Sequence, residues 1–345
     1  MTQQPPLQSP PVGAFRFNTY SSKLEYYDGN QWVNITSDSP DVQTGGTRAV
    51  RMGGNLAPNW INVIDYVNID TTGNAADFGD LIGGSIGGAV VSSRTRGLYA
   101  GGYKSPHNSA STTQIERIEF AIPSNGIDFN DLTQARMDFS GMNNQTRGVF
   151  AGGNNKPSGQ PWVSYNIIDY VTIASSANAV DFGDMATAGA QGGCNGAASP
   201  TRGVFAADSN NANIKTITFA STGNATGWGT MVGGYNNTVG SDSNAIRVIY
   251  SGAYGQTEIQ YSTIATGGDS ATFGDTTIKK YLPAVAASST RCIIAGGRQM
   301  PSPSAVENGI EYVQIMSQGN SIDFGDLTQS VYNCQGISNG HGGLG

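Results

Sequence analysis

At 345 residues the chain is long enough to bury a large core, and its 48 glycines with only 12% charged residues set it apart from ordinary globular composition. A formal net charge of −7 argues against a nucleic-acid partner, which needs a basic face, and no polybasic cluster is present to hold the chain on anionic lipid. No apolar run reaches the length of a membrane-spanning helix, and the three cysteines (Cys194, Cys292, Cys334) have neither disulfide-framework nor metal-site spacing, so they read as buried thiols.

Residues 1–12 contain Pro5, Pro6, Pro10 and Pro11 and favour an extended arm. The arm reads two ways, as a frayed tail or as a strap that docks on a neighbour. It lacks the basic start and apolar stretch of a secretory leader. Residues 13–37 form a compact β unit. Ala14–Tyr20, Lys23–Tyr27 and Gln31–Ile35 alternate aromatic and polar positions, and Asp28-Gly29 is a hairpin turn signal. The stretch Gly13-Ala-Phe-Arg-Phe-Asn-Thr19 followed by Leu24-Glu-Tyr-Tyr-Asp-Gly29 and Trp32 resembles a small module of bacteriophage fibres and other virion appendages. Residues 38–46 are a polar linker.

From residue 47 onward one phrase repeats, best preserved as Gln145-Thr-Arg-Gly-Val-Phe-Ala-Gly-Gly153. Its arginines are Arg48, Arg96, Arg147, Arg202, Arg247 and Arg291, at steps of 48, 51, 55, 45 and 44 residues. Each repeat opens with this Arg-bearing strand and a loop of variable length. An apolar strand follows, as in Ile167-Ile-Asp-Tyr-Val-Thr-Ile173, and then a turn such as Gly73-Asn74 or Gly319-Asn320. Next comes Asp-Phe-Gly-Asp (Asp77–Asp80, Asp181–Asp184, Asp323–Asp326) or a variant of it. A small, Gly-rich strand closes the unit; copies are expected at 84–92, 137–143, 191–198, 235–240, 282–287 and 331–338. The last copy has no Arg strand after it, and no copy precedes Arg48. The period and the β content are those of a kelch-like β-propeller, and the orphan strands predict an all-β fold of six blades over residues 47–345, closed by the C-terminal strand.

A residue present in every repeat serves the shared scaffold first. The six arginines are therefore expected to donate to carbonyls or an aspartate between blades, and the Asp-Phe-Gly-Asp corners offer too few oxygens for calcium. Neither a metal nor a cofactor is expected. Copper-radical oxidases on propellers need a histidine pair, and this chain has only His107 and His341. Sialidase boxes, a nucleophile elbow and a phosphate loop are all missing, so the chain reads as a non-enzyme. The loops after the Gly-Gly phrase vary most, and they carry Trp60, Tyr103, Trp162 and Tyr165 beside Pro, Asn and Ser. These four are the candidate binding residues, able to stack on a sugar or anchor a protein. The alternative is that each aromatic only covers its own blade.

The phrases Thr146–Gly153, Ile168–Ile173 and Asn178–Asp184 make residues 47–345 resemble the kelch-like virion structural proteins of tailed bacteriophages, including those of marine cyanobacteria. The regular Tyr and Trp pair of cellular kelch repeats is missing. The resemblance implies a structural protein on the exterior of a virion. Its partners would be other virion proteins bound through residues 1–37, a host-surface glycan or protein, and further copies of itself. A tail fibre or spike that contacts the host and a decoration of the head both fit.

Overall fold

The computed structural model describes residues 10–18, 23–34, 46–56, 58–105, 111–155, 160–186, 196–206, 213–233, 239–300 and 305–345. The chain forms two compact units, Met1–Val42 and Gln43–Gly345. Most of the expected arm (1–9) and of the linker (38–45) lies outside the described residues. So do His107 and Cys194.

The smaller unit is a three-stranded antiparallel sheet of Phe15–Asn18, Lys23–Tyr27 and Trp32–Asn34. Its second turn is closed by Asp28, whose Oδ1 accepts from the backbone N–H groups of Asn30 (2.7 Å) and Gln31 (2.8 Å), with Gly29 at φ 103°. Registers Phe15↔Tyr26 and Phe17↔Leu24 place four apolar side chains on one face.

The larger unit is all-β apart from a 3-10 turn at Gly342–Leu344, and its described residues build six four-stranded antiparallel sheets. Sheet 3 shows the common plan: Ser140–Asn143, Arg147–Ala151, Ile167–Thr172 and Val180–Asp184, in that order. Sheet 1 takes its first strand from the far end of the chain, Gln335–Ser338, paired with Arg48–Met52 in the register Ile337↔Val50. In every sheet the register between third and fourth strands shifts once, as at Ile168/Asp169, leaving Phe182 unpaired and turned into the core.

The small first strands are shorter and begin later than the glycine pattern suggested. They run over Ala89–Ser92, Ser140–Asn143, Ala197–Ala198, Gly240–Ser243, Ala284–Ala287 and Gln335–Ser338. The expected 235–240 copy therefore shares only Gly240 with the true strand, and 234–238 lies outside the described residues. The expected start of the 84–92 copy belongs to a linking segment, in which Ser85–Ile86 pairs with the loop strand Tyr103–Lys104. Just ahead of the 282–287 copy, Lys280–Tyr281 pairs in the same way with Arg298–Gln299. The backbone then reverses through a left-handed residue (Gly87, Asp138, Leu282, Asn333) before the first strand starts.

With the sheets counted in chain order, sheet 6 is Ala284–Ala287, Arg291–Ala295, Gly309–Gln314 and Ile322–Asp326. The described buried apolar residues fall into six clusters, each shared by two sheets that follow one another in the chain; the sixth joins sheets 6 and 1 through Ile293, Phe324, Val67 and Ile69. First strands lie against the first strands of the neighbouring sheets in the same order, and Gln335–Ser338 touches both Ala89–Ser92 and Ala284–Ala287. That closeness explains the small residues. A Cβ on Gly141 would come within 2.4 Å of the Val90 carbonyl oxygen in the adjoining sheet. No helix of the described residues is long and apolar enough to cross a membrane.

Candidate functional site

Three repeated devices tie each sheet to the next. Each repeat arginine lies at the start of a second strand and donates to carbonyls at the end of the next sheet's third strand. Arg202 reaches the Ile264 oxygen at 3.0 Å, Arg247 the Ile315 oxygen at 2.9 Å, and Arg96 the Ala174 oxygen at 2.6 Å. Arg147 bonds the Phe219 oxygen at 2.5 Å, and Arg48 bonds that of Phe120. Arg291 turns back to sheet 1, to Ile69 (3.1 Å) and Asp70 (2.9 Å). In four sheets the same guanidinium covers the tyrosine of its own third strand, as Arg247 does over Tyr261 at 4.4 Å. That tyrosine packs edge-on against the phenylalanine of Asp-Phe-Gly-Asp, as Tyr261 does on Phe273 at 5.9 Å.

The Asp-Phe-Gly-Asp corner is the second device. The side-chain oxygen of a turn residue in the following sheet accepts from the corner's last backbone N–H. Asn125 serves Asp80, Asn224 serves Asp184 and Asn320 serves Asp275, each at 3.0 Å, and Asn74 closes the series on Asp326 at 3.1 Å. The corner carboxylates gather no ligand set. Among the described residues no group of three or more His, Cys, Asp or Glu could hold a metal ion.

The third device was not singled out in the sequence. The third strand carries one buried charged or polar residue at the register shift: Asp65, Glu116, Asp169, Gln260 and Glu311. Four of them are paired within a buried site, as Arg51–Asp65, Lys104–Glu116, Arg136–Asp169 and Lys280–Glu311. The same carboxylates also hold the segment leaving the preceding sheet. Asp169 accepts from the Thr133 hydroxyl (2.6 Å), Glu311 from Thr277 (2.6 Å) and Asp65 from Thr328 (2.5 Å). Burial works against the Glu311 carboxylate, but Lys280 and the Ser321 and Thr277 hydroxyls outweigh it and lower its pKa. Burial likewise lowers the pKa of Arg136, with Asp169 opposing it. At Asp65, Asp169 and Glu311 the signal was a carboxylate between isoleucine and tyrosine in an otherwise apolar strand, whereas Glu116 lies between Ile115 and Arg117.

Variable loops and inter-sheet links meet on one side of the sheets, bridged at Asn55↔Tyr332, Met137↔Asn154, Tyr103↔Ile86 and Tyr281↔Arg298. Three of the four candidate aromatics come together there. Tyr103 lies 5.6 Å from Trp60, edge to face, and 6.5 Å from Trp162. Their roles differ. Tyr103 is buried and Trp60 half-buried, whereas Trp162 is 53% exposed. Tyr165 makes no ring contact with this group among the described residues, and it is half-buried.

A second cluster on the same side escaped the sequence reading because its members come from links as well as loops. Tyr254, 60% exposed, packs edge-on to Tyr281 at 5.2 Å, and Arg298 covers the ring of Tyr332 at 4.8 Å. Burial raises the pKa of Tyr103 and of Tyr281, and the carboxyl of Asp138 adds to both shifts. Burial pushes that carboxyl up to about 7, against a hydrogen bond from Asn154. Asn55 and Asn333, on either side of Tyr332, keep their Oδ1 atoms buried without a protein partner. The side therefore presents exposed ring faces, at Trp162 and Tyr254, on which a ligand could stack.

No protein-family model and no curated protein sequence matches the chain.

Proposed function

We propose that the six sheets are the blades of one closed kelch-like propeller, and that the protein is a non-enzymatic component of a phage virion exterior. Residues 1–37 attach it to the particle, and the loop side of the propeller contacts a host-surface glycan or protein. Closure is supported by contacts that run in chain order and return to the start: Arg291 to Ile69, Asp326 to Asn74, and the cluster shared by sheets 6 and 1. The recognition reading is carried by one observation, the joined aromatics Trp60, Tyr103 and Trp162 with Trp162 facing solvent. The virion setting rests on the repeat and hairpin resemblances.

Trp162 gives the cleaner test, because Trp60 is also part of the packing. Trp162→Ala should leave the melting temperature unchanged and reduce binding to host cells roughly tenfold, the loss of about 1–2 kcal/mol expected for an exposed aromatic anchor. A stable variant that adsorbs normally would remove the adhesin reading in favour of head decoration. In that case loss of the protein would leave adsorption intact and make particles fragile to osmotic shock.

A further inference from the structure

The small N-terminal sheet is saturated on one face and bare on the other. On the polar face Arg16 Nε bonds Glu25 at 2.8 Å, Asn18 bonds the other carboxylate oxygen at 2.9 Å, and the guanidinium stacks on Trp32 at 4.2 Å. Tyr27 lies against the same indole at 5.5 Å. The opposite face holds Phe15, Phe17, Leu24 and Tyr26, exposed by 67%, 61%, 46% and 37%. Val33 joins Tyr26 in register, and Val12 beside the turn is 75% exposed. Among the described residues no charged group falls on this face.

With aromatic side chains of ~150–250 Å² each, these residues expose roughly 500 Å² of apolar surface. A contiguous patch of that size is at the upper end of what a monomer exposes, and such patches are often functional. A three-stranded sheet this short also lacks a core of its own. We propose that the bare face is the interface with a second copy of this chain, two such sheets packing face to face about a twofold axis as a minimal sandwich. Two copies would cover on the order of 1,000 Å², the lower bound for a specific interface. Facing sheets pack ~10 Å apart, close enough for the Phe15 and Phe17 rows to interdigitate. A twofold pairing brings apolar against apolar everywhere and buries no unpaired charge, and interfaces between identical chains are the more apolar kind. A dissimilar partner would be expected to find polar or charged groups to read here, and the face has almost none.

This goes beyond attachment to the particle and can fail separately from it. Sedimentation of the full-length chain at ~10 μM should give twice the 35.9 kDa chain mass. The double variant Phe15→Ser/Phe17→Ser should sediment at the single-chain mass with an unchanged main melting transition. Phe17→Cys chains should be joined in pairs by a thiol-reactive crosslinker of about 10 Å span, whereas Trp162→Cys chains should not. A wild-type chain that stays single up to ~100 μM would overturn the proposal, since a specific interface of this size is expected to hold at that concentration. So would a stable trimer, a dimer that survives the double serine change, or pairing only with a different virion protein.

Discussion

His341 is 2% exposed, on a tail that touches the first strands Ser140–Asn143, Ala197–Ala198 and Gly240–Ser243. Its Nδ1 accepts from the Gly343 N–H at 3.2 Å, which leaves Nε2 to carry the proton toward Ser92 Oγ at 3.1 Å. Asp242 Oδ1 is 4.0 Å from Nδ1, but that nitrogen has no proton to offer, so the contact is not an ion pair. Both groups are buried neutral. Burial lowers His341 to about 3 and raises Asp242 to about 8, the latter against hydrogen bonds from the Ser243 and Ala287 N–H groups. Below the unfolded histidine pKa of 6.5 only the unfolded chain takes up the proton, so stability is full above that pH and falls as pH drops toward 3. Asp242 acts in the opposite direction: its contribution is present at low pH and is lost as pH rises from 3.8 toward 8. His341→Gln isolates the first effect. The stability advantage of wild type over this variant should shrink by roughly 3 kcal/mol between pH 7 and pH 4, read from denaturant titrations at each pH. A gap independent of pH would show that His341 is not buried neutral.

At the scale of the element, the Asp-Phe-Gly-Asp corner explains its own composition. The register shift turns phenylalanine inward, glycine lets the next sheet's turn approach, and the closing backbone N–H is capped by that turn's asparagine. Gly183 has φ 149°, and a Cβ there would stand 2.5 Å from the Gly223 carbonyl oxygen. Gly183→Ala should therefore cost about 1–3 kcal/mol, since backbone must move in two sheets. Gly227, in the equivalent strand of sheet 4, has nothing within 4 Å of a would-be Cβ, so Gly227→Ala should stay within about 0.5 kcal/mol of wild type. Equal effects at the two positions, measured by denaturant unfolding, would refute close approach as the reason for the glycine.

For the whole molecule, the decisive join is between the chain's far ends. Gln335–Ser338 supplies the first strand of a sheet whose other strands begin at Arg48, and Ser338 also bonds the Ala287 carbonyl of sheet 6. Removing residues 332–345 deletes that strand and the His341 tail, and bares a long edge on Arg48–Met52. The truncated chain should aggregate or lose its cooperative melting transition, whereas removing residues 1–12 should leave that transition in place. Light scattering and calorimetry on the two truncations decide it. A monodisperse protein ending at residue 331 with wild-type melting would show that the C-terminal strand is dispensable.

Much of this was legible in the residues alone. Repetition made the arginines, the Asp-Phe-Gly-Asp corners and the all-β class readable, because a local phrase that recurs must do the same local work each time. The orphan C-terminal strand was readable by counting, since one small strand had no partner in sequence. What the sequence could not carry were pairings between residues that no repeat places together. The buried carboxylates of Asp65, Glu116, Asp169 and Glu311 draw their cations from a strand, a loop or a link, so no fixed spacing announces them. Tyr281 and Tyr332 meet Tyr254 and Arg298 only because links fold back beside loops. The four candidate aromatics looked alike in sequence, and it was packing that separated buried Tyr103 from exposed Trp162 and left Tyr165 apart. Local chemistry determined the strands and turns; solvent exposure and long-range contact, which exist only once the chain is folded, decided which side chains face solvent.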